Sequence, residues 1–134
     1  MKILLILVSV IVVAVLLRKL IRYKTLAPLL PRQYNFGKRR DTLREVLRLL
    51  EERDAKVLVE TGVARMGLDK SKSDGASTIV FGMWAKENGA HLYSVDIDPE
   101  ATQRAGAAVS DMDLTDYVTL VTSDSVAYLN EFTE

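Results

Sequence analysis

The chain of 134 residues contains no cysteine, three prolines and seven glycines. Without cysteine it has no disulfide bonds, no thiolate metal sites and no cysteine nucleophile. Acidic residues are absent from the first forty positions, which carry nine of the eighteen Lys and Arg residues. The remaining residues therefore hold all eighteen Asp and Glu residues against nine basic ones. Such an acidic part would repel phosphates, so nucleic acid is not expected as a partner.

A long hydrophobic run opens the chain. Residues 3–17 are apolar apart from Ser9, and the run resumes with Leu20 and Ile21. As a helix, residues 3–21 would span roughly 28 Å, close to the ~30 Å hydrocarbon core of a bilayer. The run is apolar on every face, which suits lipid better than a globular core, and it lacks the small-residue cleavage site of a signal peptide. We predict a single transmembrane helix at residues 1–21, with residues 3–21 in contact with membrane lipid.

Residues 22–40 hold two prolines, one glycine and six basic residues. This composition is typical of a basic juxtamembrane linker. Because the basic residues follow the hydrophobic run and only Lys2 precedes it, the positive-inside rule predicts a single-pass protein whose globular domain, residues 41–134, faces the cytoplasm.

Helical and strand patterns alternate from Asp41 onward, with Asp41 as a candidate helix N-cap. The predicted segments are a helix at 41–53, a strand at 56–60, a helix at 77–88, a strand at 91–98, a helix at 99–111, a strand at 117–124 and a helix from 125. This alternation predicts right-handed crossovers and an α/β, Rossmann-like, doubly wound parallel sheet, of which about three strands are present. The first strand is expected to be buried on both faces.

Carboxylates follow each predicted strand: Glu60, Asp96 with Asp98, and Asp124. Ligands of such sheets bind at the carboxyl ends of the strands. Buried carboxylates need hydrogen-bond donors, which a ribose, an adenine amine or an α-amino group would supply. Taken singly, each acid has the simpler interpretation of a helix cap or a solvated loop residue. Their coincidence favours a nucleoside-like ligand.

Gly62 lies two residues after Glu60, where the missing side chain would let backbone approach a ligand closely. Ala64 and Met66 stand where the dinucleotide fingerprint G-x-G-x-x-G would need further glycines. A pyrophosphate cradle is therefore missing, which counts against NAD or FAD and against a nicotinamide-dependent oxidoreductase.

The order Glu60-Thr61-Gly62, Val95-Asp96 and Ser123-Asp124 resembles the cofactor-binding half of class I S-adenosylmethionine-dependent methyltransferases. The resemblance covers residues 41–133. It implies that Glu60 and Gly62 line the methionine part of S-adenosylmethionine, that Asp96 accepts the ribose hydroxyls, and that Asp124 with Ser123 lies by the adenine amine. Asp98, before Pro99, is better suited to capping a helix.

A departure from the common pattern lies at residues 67–77, GLDKSKSDGAS, which are inserted between the first turn and its helix. The insertion resembles a subgroup of these enzymes in which a Gly-Ala-Ser-Thr-like segment opens the helix. This implies that Asp74, Gly75, Ala76 and Ser77 form part of the cofactor wall. A flexible surface loop with a helix cap is the alternative interpretation.

Catalytic residues remain unknown, because in the family they usually follow a fourth strand, which this sequence does not reach. We expect either the N-terminal part of a longer protein or a shorter relative whose sheet a protein partner completes. The leading hypothesis is a membrane-anchored methyltransferase with an unknown acceptor; the alternative is a non-catalytic subunit or interaction module with a degenerate methyltransferase-like fold. No metal site is predicted, since Asp111, Asp113 and Asp116 lack a complete calcium-loop pattern.

Overall fold

The computed structural model describes residues 2–23, 39–67 and 76–133. Contacts divide the chain into two units, Met1–Arg32 and Gln33–Glu134. The predicted linker at residues 22–40 lies almost wholly outside the described residues.

The first unit contains helix α1, Lys2–Tyr23. Its described large apolar side chains run from Ile6 to Leu17 and are exposed. Among the described residues, no helix is long and apolar enough to cross a membrane, so the predicted transmembrane helix at residues 1–21 is not supported. The lipid contact and the cytoplasmic orientation stay predictions.

The second unit begins with helix α2, Arg40–Glu52, whose N-cap is Arg39. The predicted cap, Asp41, lies instead in the first turn. Leu43, Leu47 and Leu50 recur on one face of the helix and pack against the core, as their spacing predicts.

Three parallel strands follow, β1 (Val57–Thr61), β2 (His91–Asp96) and β3 (Val118–Thr122), in the order β1-β2-β3. Helix α3 (Ser77–Asn88) connects β1 to β2, helix α4 (Pro99–Asp111) connects β2 to β3, and helix α5 (Ser125–Glu131) follows β3. The predicted α/β, Rossmann-like parallel arrangement is confirmed. Within the described part of the chain, β1 has one neighbouring strand.

Local signals set the helix ends. Gly89 closes α3 in a left-handed conformation with φ 60°, which glycine adopts without a Cβ penalty. Asp98 caps α4 by accepting a hydrogen bond from the Glu100 N–H at 2.9 Å, and Pro99 occupies the first turn. The predicted cap at Asp98 is confirmed. Helix α3 follows Ala76, which makes no side-chain cap hydrogen bond.

Helices cover the two faces of the sheet unequally. Leu58 and Leu92 join Ile79 of α3 in the main core. On the opposite face, the Tyr93 ring contacts Phe132, just beyond α5, with ring centroids 5.0 Å apart. Val59, on that second face, remains 37% exposed. The expectation that β1 is buried on both faces is therefore wrong for the described residues, because no described helix covers Val59.

Candidate functional site

The turn after β1 brings open backbone to the carboxyl edge of the sheet. Gly62 has φ +87°, a conformation that L side chains rarely adopt, and its N–H donates to the Val95 carbonyl oxygen at 2.7 Å. A Cβ atom built on Gly62 would meet no atom within 4 Å. The space beside this turn is therefore open, as the predicted close approach to a ligand requires.

Asp96, the last residue of β2, is 5% exposed and lies where the three strands end. Its Oδ2 accepts from the Val63 N–H at 3.1 Å, and its Oδ1 accepts from the Asp98 N–H at 3.0 Å. The Arg65 Nε lies 3.6 Å from Oδ2. Burial alone would raise the pKa of Asp96, but these N–H donors and the Arg65 charge together hold it below its ordinary value. The group is therefore an anion at neutral pH.

A cavity of about 290 Å³ lies at this edge. Its lining residues come from the ends of all three strands and the turns that follow them: Thr61, Gly62, Arg65, Val95, Asp96, Ile97, Asp124 and Ser125. The volume is at the lower end of the ~300–1,000 Å³ typical of small-molecule sites. Three of the predicted site residues, Gly62, Asp96 and Asp124, thus meet in one cavity.

Asp124 also caps helix α5, because its Oδ1 accepts from the Ala127 N–H at 2.9 Å. The preceding residue, Ser123, donates its N–H to the Asp96 carbonyl oxygen at 3.0 Å. This bond holds the turn after β3 against the end of β2. Asp124 is exposed, so its carboxylate can contact a ligand while it accepts the hydrogen bond from the Ala127 N–H.

Glu60, the third predicted carboxylate, is not among the residues that line the cavity. It faces α3: Oε2 accepts from the Thr78 hydroxyl at 2.7 Å and the Ser94 hydroxyl at 2.5 Å, and Ser77 also hydrogen-bonds to it. Burial raises the pKa of Glu60, and these hydroxyl donors oppose that shift only in part. Thr78 in turn accepts from the Ala64 N–H at 2.9 Å. Glu60 therefore orders the turn after β1 through Thr78, and its contact with a ligand stays a prediction.

The described residues of the inserted segment, Gly67, Ala76 and Ser77, do not line the cavity. Asp74 and Gly75 lie outside the described residues. Ala76 is fully buried in the main core, and the Ser77 side chain is directed to Glu60. Their predicted place in a cofactor wall is untested.

Sequence reasoning missed several residues of the cavity wall. Arg65 and Ile97 are the most informative, since Ile97 is a large apolar side chain that is 71% exposed beside a buried carboxylate. Their positions beside Gly62 and Asp96 were the available signal, because residues next to strand-end turns share the same edge. Thr61 and Ser125 adjoin predicted residues in the same way.

These side chains suit a nucleoside with a charged tail better than a phosphate ester. Among the described lining residues, two carboxylates and one guanidinium give a net charge of −1. The described residues hold no group of three or more His, Cys, Asp or Glu side chains placed to bind a metal ion.

Comparison with solved structures finds a match to a protein from Klebsiella pneumoniae that is named a "putative O-methyltransferase". The TM-score is 0.59 at 19% sequence identity, and the match covers 90% of this chain and 55% of that structure. The chain thus spans about half the length of the structure it matches. No family model and no curated protein matches the sequence.

The match shows a methyltransferase-like fold. The three parallel strands and their crossover helices correspond to the Rossmann-like arrangement of that fold, as the resemblance in the sequence implied. At 19% identity the similarity concerns the fold alone.

Proposed function

We propose that this chain binds S-adenosylmethionine in the cavity at the carboxyl edge of the sheet and forms the cofactor-binding part of a methyltransferase. The observation that carries the proposal is Asp96, a buried carboxylate that lines the cavity at the end of the middle strand. The fold match supports the same class of protein.

Asp96 has acceptor capacity left for a ribose. A carboxylate offers about four lone-pair sites, and two are used by the Val63 and Asp98 N–H groups. The remaining sites accept the two vicinal hydroxyls of a ribose. A phosphate in this position would instead be repelled by the carboxylate.

Other lining groups match the remaining parts of the cofactor. Ile97 offers an exposed apolar surface to the flat face of an adenine, and Asp124 offers an acceptor to its exocyclic amine. The open backbone at Gly62 admits the methionine part. The net charge of −1 on the described lining residues complements S-adenosylmethionine, whose sulfonium, ammonium and carboxylate sum to +1.

Methyl transfer from this cofactor is a displacement at carbon. The acceptor's nucleophile forms a bond to the methyl group, the carbon–sulfur bond breaks, and its electron pair stays on sulfur as the thioether. The acceptor's proton passes to a base. For this step the protein mainly aligns the two reactants, and we assign neither the acceptor nor the base to a described residue.

Isothermal titration of the 134-residue chain with S-adenosylhomocysteine tests the proposal. We expect saturable binding at one site, and weaker binding by about 10- to 100-fold in Asp96→Ala, which removes a charge-assisted hydrogen-bond acceptor. Arg48→Ala, an exposed change on α2 in an ion pair with Glu45 and Glu52, is the control and should bind normally. A folded chain that binds no S-adenosylhomocysteine would contradict the proposal.

The alternative, a non-catalytic interaction module, is favoured by one observation. Within the described residues β1 has a neighbour on one side only, so its other edge can accept a strand from a protein partner. Such a module would fold normally and leave the cavity without cofactor, which the same titration detects.

A further inference from the structure

We propose that Arg65 binds the carboxylate of the cofactor's amino-acid tail and makes the cavity selective for ligands that carry this group. The inference rests on the proposed function and adds a specificity-determining residue to it. Arg65 supplies the positive charge of the described wall and lies beside the carboxylate of Asp96, which also lines the cavity.

The guanidinium has donors available for a ligand. Its side chain is 63% exposed, and its Nε approaches Asp96 Oδ2 at 3.6 Å, longer than a normal hydrogen bond. A guanidinium carries five N–H donors in a planar fork that matches the two oxygens of a carboxylate. A ligand carboxylate can therefore be bound while the guanidinium stays beside Asp96.

The backbone that carries Arg65 is fixed on both sides. Before it, the Val63 and Ala64 N–H groups donate to Asp96 and Thr78. The Arg65 carbonyl oxygen accepts from the Arg104 Nε of α4 at 2.8 Å. This part of the backbone therefore has little conformational entropy left to lose when a ligand binds, which favours a selective contact.

The position of Arg65 also fits the orientation of the cofactor. With the ribose on Asp96 and the base toward Ile97 and Asp124, the amino-acid tail extends along the turn after β1. That turn contains Gly62, where the space is open, and Arg65 three residues later. The base end meets acidic and apolar groups, and the tail end meets the guanidinium.

A purely structural role for Arg65 makes a different prediction. If it served only to neutralise Asp96, its loss would alter the binding of every ligand with a ribose to the same extent. The two roles are therefore separated by ligands that differ only in the carboxylate.

The experiment measures the Kd of S-adenosylhomocysteine and of decarboxylated S-adenosylhomocysteine, which keeps the adenine, ribose, thioether and ammonium. The wild-type chain of 134 residues is compared with Arg65→Ala, Arg65→Lys and the control Arg48→Ala. We expect Arg65→Ala to weaken S-adenosylhomocysteine binding by about tenfold or more and to change binding of the decarboxylated ligand by less than about threefold. Arg65→Lys, which keeps the charge without the fork, should lie between the wild type and Arg65→Ala.

Equal effects of Arg65→Ala on both ligands, or no effect on either, would overturn this role of Arg65 and leave the proposed function standing. A wild-type chain that binds neither ligand would overturn both proposals. The control should bind both ligands as the wild type does.

Discussion

The Val63 N–H donates to the Asp96 carboxylate across 3.1 Å, although the two residues are 33 positions apart in the chain. The bond joins the turn after β1 to the end of β2. Asp96 Oδ1 also accepts from the Asp98 N–H, so backbone donors hold both oxygens of the carboxylate. The same residue therefore joins two turns at the sheet edge and lines the cavity.

Asp96→Ala should lower the free energy of unfolding by about 1–3 kcal/mol, because the buried Val63 N–H loses its partner. Asp96→Asn should cost less, since its amide oxygen can still accept one of the two backbone bonds. Urea denaturation of the wild type and both variants measures their free energies of unfolding and tests this ranking. An alanine variant as stable as the wild type would show that the bond between the two turns contributes little.

The lowered pKa of Asp96 predicts a loss of stability in acid. A carboxyl group whose pKa is lower in the folded state stabilises that state above the unfolded value, here 3.8, and the stabilisation is lost as pH falls through the folded pKa. We expect the difference in unfolding free energy between the wild type and Asp96→Asn to shrink as pH falls below about 4. Denaturation at a series of pH values checks this, and a difference that is constant with pH would contradict it.

The raised pKa of Glu60 predicts that its contribution to stability changes with pH in the opposite direction. Burial raises its pKa, so the folded state favours the protonated carboxyl group. The stability that this group contributes is fully present below its ordinary pKa of 4.5 and is lost as pH rises through the raised folded value. Glu60→Gln, which stays neutral and can still accept from the hydroxyls, should gain stability relative to the wild type as pH rises from about 4 to 7. Denaturation curves at both ends of that range measure the change.

Glu60→Ala separates the charge from the hydrogen bonds. It leaves the hydroxyls of Thr78 and Ser94, both fully buried, without their acceptor, so we expect a loss of about 1–3 kcal/mol at either pH. If the alanine and glutamine variants behaved alike, the hydroxyl contacts would not hold the turn.

The elements of the second unit could be predicted from sequence because their signals are local. Asp98-Pro99 begins α4 and Gly89 ends α3, and each signal acts within one turn of its helix. The three strands follow from short β-rich runs between these helices. The prediction of a parallel sheet needed only the alternation of the elements and the handedness of crossovers.

The cavity was predicted less completely, because its residues depend on contacts between distant segments. Glu60 ends on the α3 side because the strand register pairs it with Ser94 and because Thr78 lies opposite. Neither relation is visible in a single strand. Arg65 lies in the cavity wall because the turn after Gly62 folds back toward Asp96. The sequence alone does not specify the conformation of this turn.

The two helix-capping aspartates allow stability and binding to be separated. Asp98 and Asp124 each accept one backbone N–H at 2.9 Å, from Glu100 and Ala127 respectively, so alanine at either position should cost about 0.5–2 kcal/mol. Only Asp124 lines the cavity. We therefore expect Asp124→Ala, and not Asp98→Ala, to weaken binding of S-adenosylhomocysteine in a titration below the melting temperature of both variants. Equal binding by the two would remove Asp124 from the site.

Two glycines inside helices predict opposite effects of the same substitution. A Cβ atom on Gly82 of α3 would lie 2.7 Å from Val118 Cγ2 and 3.2 Å from Leu114 Cδ1, so the helix could not keep its close approach to β3. We expect Gly82→Ala to lower the free energy of unfolding by about 1–3 kcal/mol through overpacking, less the gain in helix propensity.

On Gly106 of α4 the Cβ atom would lie 3.5 Å from Leu120 Cδ1, an ordinary contact. Gly106→Ala should therefore stabilise by up to about 1 kcal/mol. Thermal and urea denaturation of the matched pair measure both, and a stabilising Gly82→Ala would mean that α3 does not lie this close to β3.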